Sequence, residues 1–369
     1  MTEPVAPALP AGLDTPALVI DLDIVDANAR RMAGELAARG IALRPHTKTH
    51  KSVALARLQV EAGAAGITVC TLGEAEVMAD GGLDDIFIAY TLWAAGPKVE
   101  RLRALHEREG VRLAVGLDSV AGAERLAAAI QGSGKPLPVL VEIDPGSHRT
   151  GVAPADAGRI AVAASALGLR VDGVFAHGGH AYAGRDAIAG AAADEVWALR
   201  TAVDALEAEG LSARIVSAGS TPTALPAAQE PVNEMRPGTY LFGDRIQVSL
   251  GSTPPEGVAI VVAATVVSTA VPGEIVIDAG AKTLTKDLPP YLEGYGVLVD
   301  YPGTVIERVN DYHGVVRVPP GVRAPQLGEV VAVIPNHACP VVDLHDTFVA
   351  TRAGEVVGVW PVDARGRSR

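Results

Sequence analysis

Long apolar runs and blocks of basic residues are absent from this 369-residue chain, and cysteine occurs only twice, at positions 70 and 339. No apolar stretch reaches the roughly 18 residues a membrane-crossing helix needs, so no membrane span is expected. The formal net charge of −12 without any basic block excludes nucleic acid as an expected partner. Two cysteines far apart do not make a disulfide scaffold, and the start, MTEPVAPALPAG, has neither a basic n-region nor an apolar h-region. A reduced, cytoplasmic protein is the expectation. What is present is apolar substance: 49% of residues are hydrophobic and 20% charged, which excludes a disordered chain and suffices for a full core.

Residues 1–12 are rich in Pro and Ala and are expected to fray. Thr15–Asp21 reads as a strand, followed by a helix with Val25, Ala29, Met32 and Leu36 on one face and Gly40 at its close. From Ile41 the pattern alternates. Strands are expected at Ile41–Leu43, Gly66–Leu72, Asp85–Thr91, Arg112–Asp118, Leu137–Asp144, Val171–His177, Ala213–Ser217 and, more weakly, Asn233–Phe242, with helical stretches between them. These are continuous apolar runs, as strands buried on both faces should be. The count predicts a (β/α)8 TIM-type barrel over residues 22–250, with a doubly wound open sheet as the structural competitor. After the linker Gly251–Gly257, short β-rich runs separated by turn residues predict an all-β domain over 251–369, joined by the N-terminal strand 13–21.

In a parallel barrel, functional groups collect at the C-terminal ends of strands. The first such end is Arg44-Pro45-His46-Thr47-Lys48-Thr49-His50-Lys51. A lysine held just beyond a rigid strand suits Schiff-base chemistry, and both Lys48 and Lys51 are candidates. Ala218-Gly219-Ser220-Thr221-Pro222-Thr223 and Gly238-Thr239 have the glycines and hydroxyls of a phosphate cradle. Arg149 follows another strand and can meet a phenolic oxygen or a carboxylate. In His177-Gly178-Gly179-His180-Ala181-Tyr182, either histidine can line a pocket, and Tyr182 can meet a heteroaromatic ring nitrogen. In the β domain, Pro335-Asn336-His337-Ala338-Cys339 sets an imidazole and a thiol at i and i+2, on one side of a strand or extended loop. That donor set suits Zn²⁺.

Taken together, Leu13–Asp21, Arg44–Lys51, Gly219-Ser220-Thr221-Pro222-Thr223, Ile277-Asp278-Ala279-Gly280 and Pro335–Cys339 resemble the D-threonine aldolase and D-serine dehydratase family. The motifs run in family order over nearly the whole chain. The resemblance implies an alanine-racemase-like fold, pyridoxal 5'-phosphate as cofactor and a homodimer. It selects Lys48 as the Schiff-base lysine and gives the phosphate to Thr221, with Ser220 beside it, and to Gly238 and Thr239. It sets Tyr182 at the pyridine nitrogen, Arg149 at the ring oxygen or lysine region and His177 along the cofactor. A divalent metal falls to His337 and Cys339: Zn²⁺ first, Mn²⁺ or Mg²⁺ as other choices.

Family members with His-x-Cys act mainly as dehydratases on D-serine or 3-hydroxy-D-aspartate, whereas His-x-Asp marks aldolases. The expected function is therefore a lyase that converts a small D-3-hydroxyamino acid to a keto acid and ammonia. D-threonine aldolase activity, giving glycine and an aldehyde, is the alternative. A non-catalytic cofactor carrier needs no metal pair, and a racemase needs a second acid/base that the sequence does not show.

Overall fold

A first strand, β1 (Ala17–Asp21), leads into α1 (Leu22–Ala37), and from there strands and helices alternate. The computed structural model describes residues 7–369, so half of the stretch expected to fray lies outside the described residues. The alternating strands are β2 (Ala42–Leu43), β3 (Ile67–Val69), β4 (Asp85–Thr91), β5 (Arg112–Leu117), β6 (Pro138–Ile143), β7 (Arg170–Ala176), β8 (Ile215–Ala218) and β9 (Glu234–Met235). The helices among them are α2 (Val53–Glu61), α3 (Leu72–Asp80), α4 (Pro97–Glu107), α5 (Val120–Ala129), α6 (Ala157–Ala166) and α7 (Ile188–Ala208). Two units result. The barrel unit comprises Arg30–Lys48, Val53–Gly238 and Gly366–Arg369; the sheet unit comprises the residues up to Ala29, Thr49–Ser52 and Thr239–Arg365.

In the barrel unit the eight strands form one sheet in the order β2-β9-β8-β7-β6-β5-β4-β3. Every pairing is parallel. The ends of that order meet: His46 and Thr68 form a parallel bridge, and Thr68 N donates to Pro45 O at 2.8 Å. Closure distinguishes this barrel from the open doubly wound sheet. Inside, Phe87, Leu140 and Phe175 form a buried cluster, the two rings edge to face at 5.1 Å.

Closure is reinforced by Arg44. Its Nε donates to Glu234 Oε2 at 2.7 Å and its Nη1 to Asp85 Oδ1 at 2.5 Å. Its carbonyl accepts from Thr68 Oγ1 at 2.8 Å. One side chain thus ties β9 and β4 to the segment after β2. Gly66 makes room for it, since a Cβ there would lie 2.2 Å from Arg44 Nη1.

The sheet unit holds β10 (Ile260–Ser268), β11 (Glu274–Ile277), β12 (Val297–Leu298), β13 (Val305–Val309), β14 (Gly314–Arg317), β15 (Val330–Ile334), β16 (Thr347–Arg352) and β17 (Glu355–Pro361), together with β1. The path is β13-β14-β11-β10-β1-β16-β17, with β15 on β10 and β12 on β15. Three short helices complete it: α8 (Arg245–Leu250), α9 (Ala281–Leu284) and α10 (Ala338–Asp343). Val19, Val258, Val261, Ala263, Ala332 and Ile334 are its buried core cluster. Thr15 Oγ1 donates to Asp278 Oδ2 at 2.6 Å, so two of the sequence motifs are a single polar staple.

Several elements differ from the sequence expectation. The strand expected over Asn233–Phe242 stops at Met235, because Pro237-Gly238 breaks it and a 3-10 turn, Thr239–Leu241, follows. β13 has no clean alternation, because a register shift at Ile306/Arg308 interrupts it. The extended segment expected at His337–Cys339 is helical from Ala338, and His337 is its N-cap, with φ −135° and ψ 110°.

Replacing Arg44 by Ala removes the ion-pair partner of the buried Glu234 carboxylate, leaving it the hydrogen bond from Ser217 Oγ. A loss of about 3–5 kcal/mol in unfolding free energy is expected, read from urea titration. A loss below about 1 kcal/mol would show that closure does not rest on this arginine.

Candidate active site

Because all eight barrel strands are parallel, their C-terminal ends share one rim. Lys48 reaches it in a 3-10 turn, Thr47–Thr49, directly after the closure bridge. His46 builds that turn: its Nδ1 accepts from Lys48 N at 3.4 Å, which leaves Nε2 to face Cys70 Sγ, also at 3.4 Å. His50 repeats the device two residues on, accepting from Ser52 N at 3.1 Å. Both histidines of the motif therefore shape backbone. Lys51 is buried, with its Nζ 2.7 Å from Asp343 Oδ1.

His177 follows β7 on the same rim. Burial disfavours its charged form, and the positive charges of Lys48, Arg149 and Arg236 act in the same direction, so its pKa falls to about 3. The ring is neutral at any physiological pH, and its Nδ1 lies 3.4 Å from Gly219 O. Three expected site residues, Lys48, Arg149 and His177, are thereby brought within electrostatic reach of one another. Arg149 lies in the loop after β6 with its side chain 61% exposed and Nη2 4.0 Å from Glu142 Oε1. Tyr182 lies half-buried in the 3-10 turn Gly179–Ala183.

The turn after β8 holds Ser220 and Thr221, both buried. Gly219 adopts φ +108°, and a Cβ there would approach Met235 Sδ to 2.2 Å, so only glycine permits the turn. Gly238 follows β9 at the same rim. Thr239, one residue on, groups with the sheet unit.

The roles of three charged residues of the barrel unit were not assigned from the sequence. Glu195, fully buried on α7, accepts from Gly178 N at 3.0 Å, Gly219 N at 2.8 Å and Thr223 Oγ1 at 2.9 Å. Burial pushes its carboxyl up, against the pull of these donors. A glutamate in the buried stripe Ala191, Ala192, Ala198, Leu199 was the available signal. Arg236 donates to Ser217 Oγ at 2.5 Å and Ala176 O at 2.6 Å and stacks over Phe175 at 5.2 Å. Glu142, at the end of β6, is also raised by burial; its Oε2 is buried and makes no hydrogen bond among the described residues.

In the sheet unit, His337 and Cys339 do meet, but by helix capping and not by strand alternation. Their side chains interact directly. Burial works against charge on His337, yet the Cys339 sulfur, a hydrogen bond to Asp287 and the charge of Asp244 prevail and push its pKa to about 11. His337 Nδ1 lies 2.7 Å from Asp287 Oδ2. Cys339 Sγ lies 3.3 Å from Thr49 Oγ1 and 3.6 Å from Thr239 Oγ1. Asp244, buried and N-capping α8, accepts from Gln247 N at 2.8 Å and from Ala338 N at 2.9 Å, which anchors the start of α10. Neither Asp244 nor Asp287 carries a sequence signal.

These residues fit the groups the sequence implied. An amine beside a neutral imidazole, a glycine turn lined with hydroxyls and a buried carboxylate oxygen still without a partner suit a phosphorylated aldehyde with a polar ring. An imidazole against a thiol suits a divalent metal of borderline softness. Among the described residues no group of three or more His, Cys, Asp or Glu is placed to hold a metal.

Comparison with known proteins adds two family profiles: Alanine racemase, N-terminal domain, over residues 20–246, and the serine dehydratase domain, over 259–351. The chain is 37% identical to D-threo-3-hydroxyaspartate dehydratase of Delftia sp. (strain HT23), over 94% of this chain and 97% of that protein. The crystal structure of D-threonine aldolase from Filomicrobium marinum superposes with a TM-score of 0.88 at 32% identity, covering 99% of this chain and 100% of that one. A cysteine-to-alanine mutant of D-threo-3-hydroxyaspartate dehydratase in the metal-free form superposes at 0.86 with 35% identity, over 95% and 97% of the two chains. Among the described residues, no helix is long and apolar enough to cross a membrane.

The low pKa of His177 has a consequence in acid. Unfolding frees the ring to take a proton below its ordinary value of 6.5, which the folded protein refuses down to about 3. Stability of the cofactor-free protein therefore falls as pH drops through that window, at about 1.4 kcal/mol per pH unit for this one group. In urea titrations at pH 6.5 to 4.5, His177→Gln is expected to show a shallower fall than the wild type; identical slopes would contradict the assignment.

Proposed function

The chain belongs to the alanine-racemase-like pyridoxal-phosphate enzymes of the D-serine dehydratase and D-threonine aldolase family, and from that premise we propose that it is a metal-assisted dehydratase of a D-3-hydroxyamino acid. The substrate class is D-serine or 3-hydroxy-D-aspartate, and the products are a keto acid and ammonia. The observation that carries the choice is the His337–Cys339 pair, a His-x-Cys set whose ring and sulfur interact directly.

Lys48 would hold the cofactor as a Schiff base. Thr221, Ser220, Gly238 and Thr239 would receive its phosphate, Tyr182 and His177 its ring, and Arg149 its ring oxygen. His337 and Cys339 would hold the metal, with Zn²⁺ the choice that an imidazole and a thiolate favour. When bound, the cofactor supplies an electron sink for Cα and the metal a Lewis acid for the β-oxygen.

The chain's own residues do the rest. Lys48 would take the Cα proton at Nζ. Its competitor Lys51 is engaged with Asp343, which supports assigning the role to Lys48. His177 stays neutral and adds no second positive charge beside Lys48. Glu195 holds the glycine turns of two loops in fixed form, so the cradle for the phosphate is built before anything binds. The exposed valines Val356, Val357 and Val359 on the edge strand β17 support pairing with a second copy as a homodimer. Neither cysteine is in a disulfide, which suits a reducing, cytoplasmic setting.

The aldolase reading uses the same residues and is favoured by the similarity to a D-threonine aldolase. It differs in which bond at Cβ breaks. Product analysis with D-serine, D-threonine and 3-hydroxy-D-aspartate separates the two. Keto acid and ammonia are expected; glycine plus an aldehyde without keto acid would transfer the chain to the aldolases. In the same preparation, Lys48→Ala is expected to abolish the visible absorbance of the bound cofactor and Lys51→Ala to retain it. The reverse outcome would move the Schiff base to Lys51.

A further inference from the structure

Asp287 lies 50 residues before His337 in sequence, yet Oδ2 of the one lies 2.7 Å from Nδ1 of the other. Its backbone is held by the same neighbourhood. Asn336, the residue preceding His337 and itself buried, donates from Nδ2 to Asp287 O at 2.8 Å. On the other side, Asp287 N donates to Thr285 Oγ1 at 3.1 Å. Thr285 sits at φ +68°, a left-handed conformation costly for a β-branched residue. The surroundings therefore sustain a strained turn whose product is a carboxylate aimed at one imidazole nitrogen. Asn336 is fixed in turn, donating to Gly294 O at 2.9 Å and accepting from Arg245 Nη1 at 3.1 Å.

We propose that Asp287 is the positioning residue of the metal pair: its carboxylate accepts the Nδ1–H of His337, fixing the tautomer and ring plane so that Nε2 is the ligand atom beside Cys339 Sγ. The argument is chemical. A neutral imidazole has one N–H, and the nitrogen that carries it cannot bind a metal. A carboxylate acceptor at Nδ1 settles which nitrogen that is and makes the other more basic. Asp287 does not itself ligate; it acts through His337. This inference rests on the metal reading given above.

The test is Zn²⁺ affinity, measured by competition with a chromophoric chelator on holoenzyme whose metal has been removed by dialysis. Asp287→Ala is expected to weaken binding about 10- to 100-fold, the usual effect of losing such an outer partner. Asp287→Asn retains an acceptor oxygen and is expected to recover part of the loss. Cofactor absorbance should be unchanged in both. Wild-type affinity in Asp287→Ala, or an equal loss in both variants, would overturn the proposal. His337→Ala in the same titration separates the two readings. If it binds Zn²⁺ as well as the wild type, the metal reading itself fails; if it loses Zn²⁺ while Asp287→Ala keeps it, only the positioning role fails. A second measurement avoids dependence on folding of the Asp287 variants. In Zn²⁺-loaded protein labelled with ¹⁵N-histidine, the ring signals absent from His337→Gln should show a protonated Nδ1, and a protonated Nε2 would overturn the assignment.

Discussion

The bridge between His46 and Thr68 is the contact on which the barrel unit depends. It joins the first strand of the ring to the last, and the lysine expected to carry the cofactor lies two residues beyond it. A barrel that failed to close there would leave the turn Thr47–Thr49 without its base. Arg44 adds the charge that makes the junction specific: it requires Glu234 and Asp85 to be in place, so three strands must register together. His46 then passes that order on, because its ring both belongs to the bridge residue and accepts from the Lys48 amide. Fold and chemistry are thus coupled through a few residues of local backbone.

Charge buried elsewhere in the barrel unit follows the same economy. Each backbone N–H left unpaired in a buried loop costs about 1–3 kcal/mol. Glu195 absorbs two such groups and a hydroxyl at once, and in doing so fixes two loops that are 40 residues apart by sequence. Arg236 fills the space between aromatic rings that an apolar side chain would otherwise occupy. The chain has only four phenylalanines. Phe87 and Phe175 meet edge to face in the barrel unit, and Phe242 and Phe348 pack in the sheet unit, with His50 edge-on to Phe242.

The barrel was legible because its strands are apolar on both faces and helices intervene, so periodicity and turn residues agree. β4 was read to the residue. β9 was overextended, since a strand of two residues leaves almost no pattern, and its Pro-Gly stop was the only sign. β13 carries Glu307 and Arg308 across a bulge and so looks like a loop. The His337–Cys339 pair was legible as residue types but not as geometry. The spacing of His337 and Cys339 suits a strand, whereas the buried carboxylate of Asp244, some 90 residues earlier, caps the helix that brings them together. Glu195 had a visible anomaly, a charge in an apolar helical stripe. Asp287 had none, because a contact across 50 residues leaves no local trace.

β1 lies near the middle of the nine-stranded sheet, hydrogen-bonded on one side to β10 and on the other to β16. It is also made before the other strands of its sheet. Between its last residue, 21, and the first residue of β10, 260, the ribosome must add about 240 residues, which at roughly 5–20 residues per second takes on the order of 12 to 50 s. Throughout that interval the apolar segment Ala17-Leu18-Val19-Ile20 lacks the strands it pairs with in the folded sheet. The order of translation therefore makes the production of this protein sensitive to whatever shields a nascent chain, and does so through a strand that contributes no side chain to the chemistry.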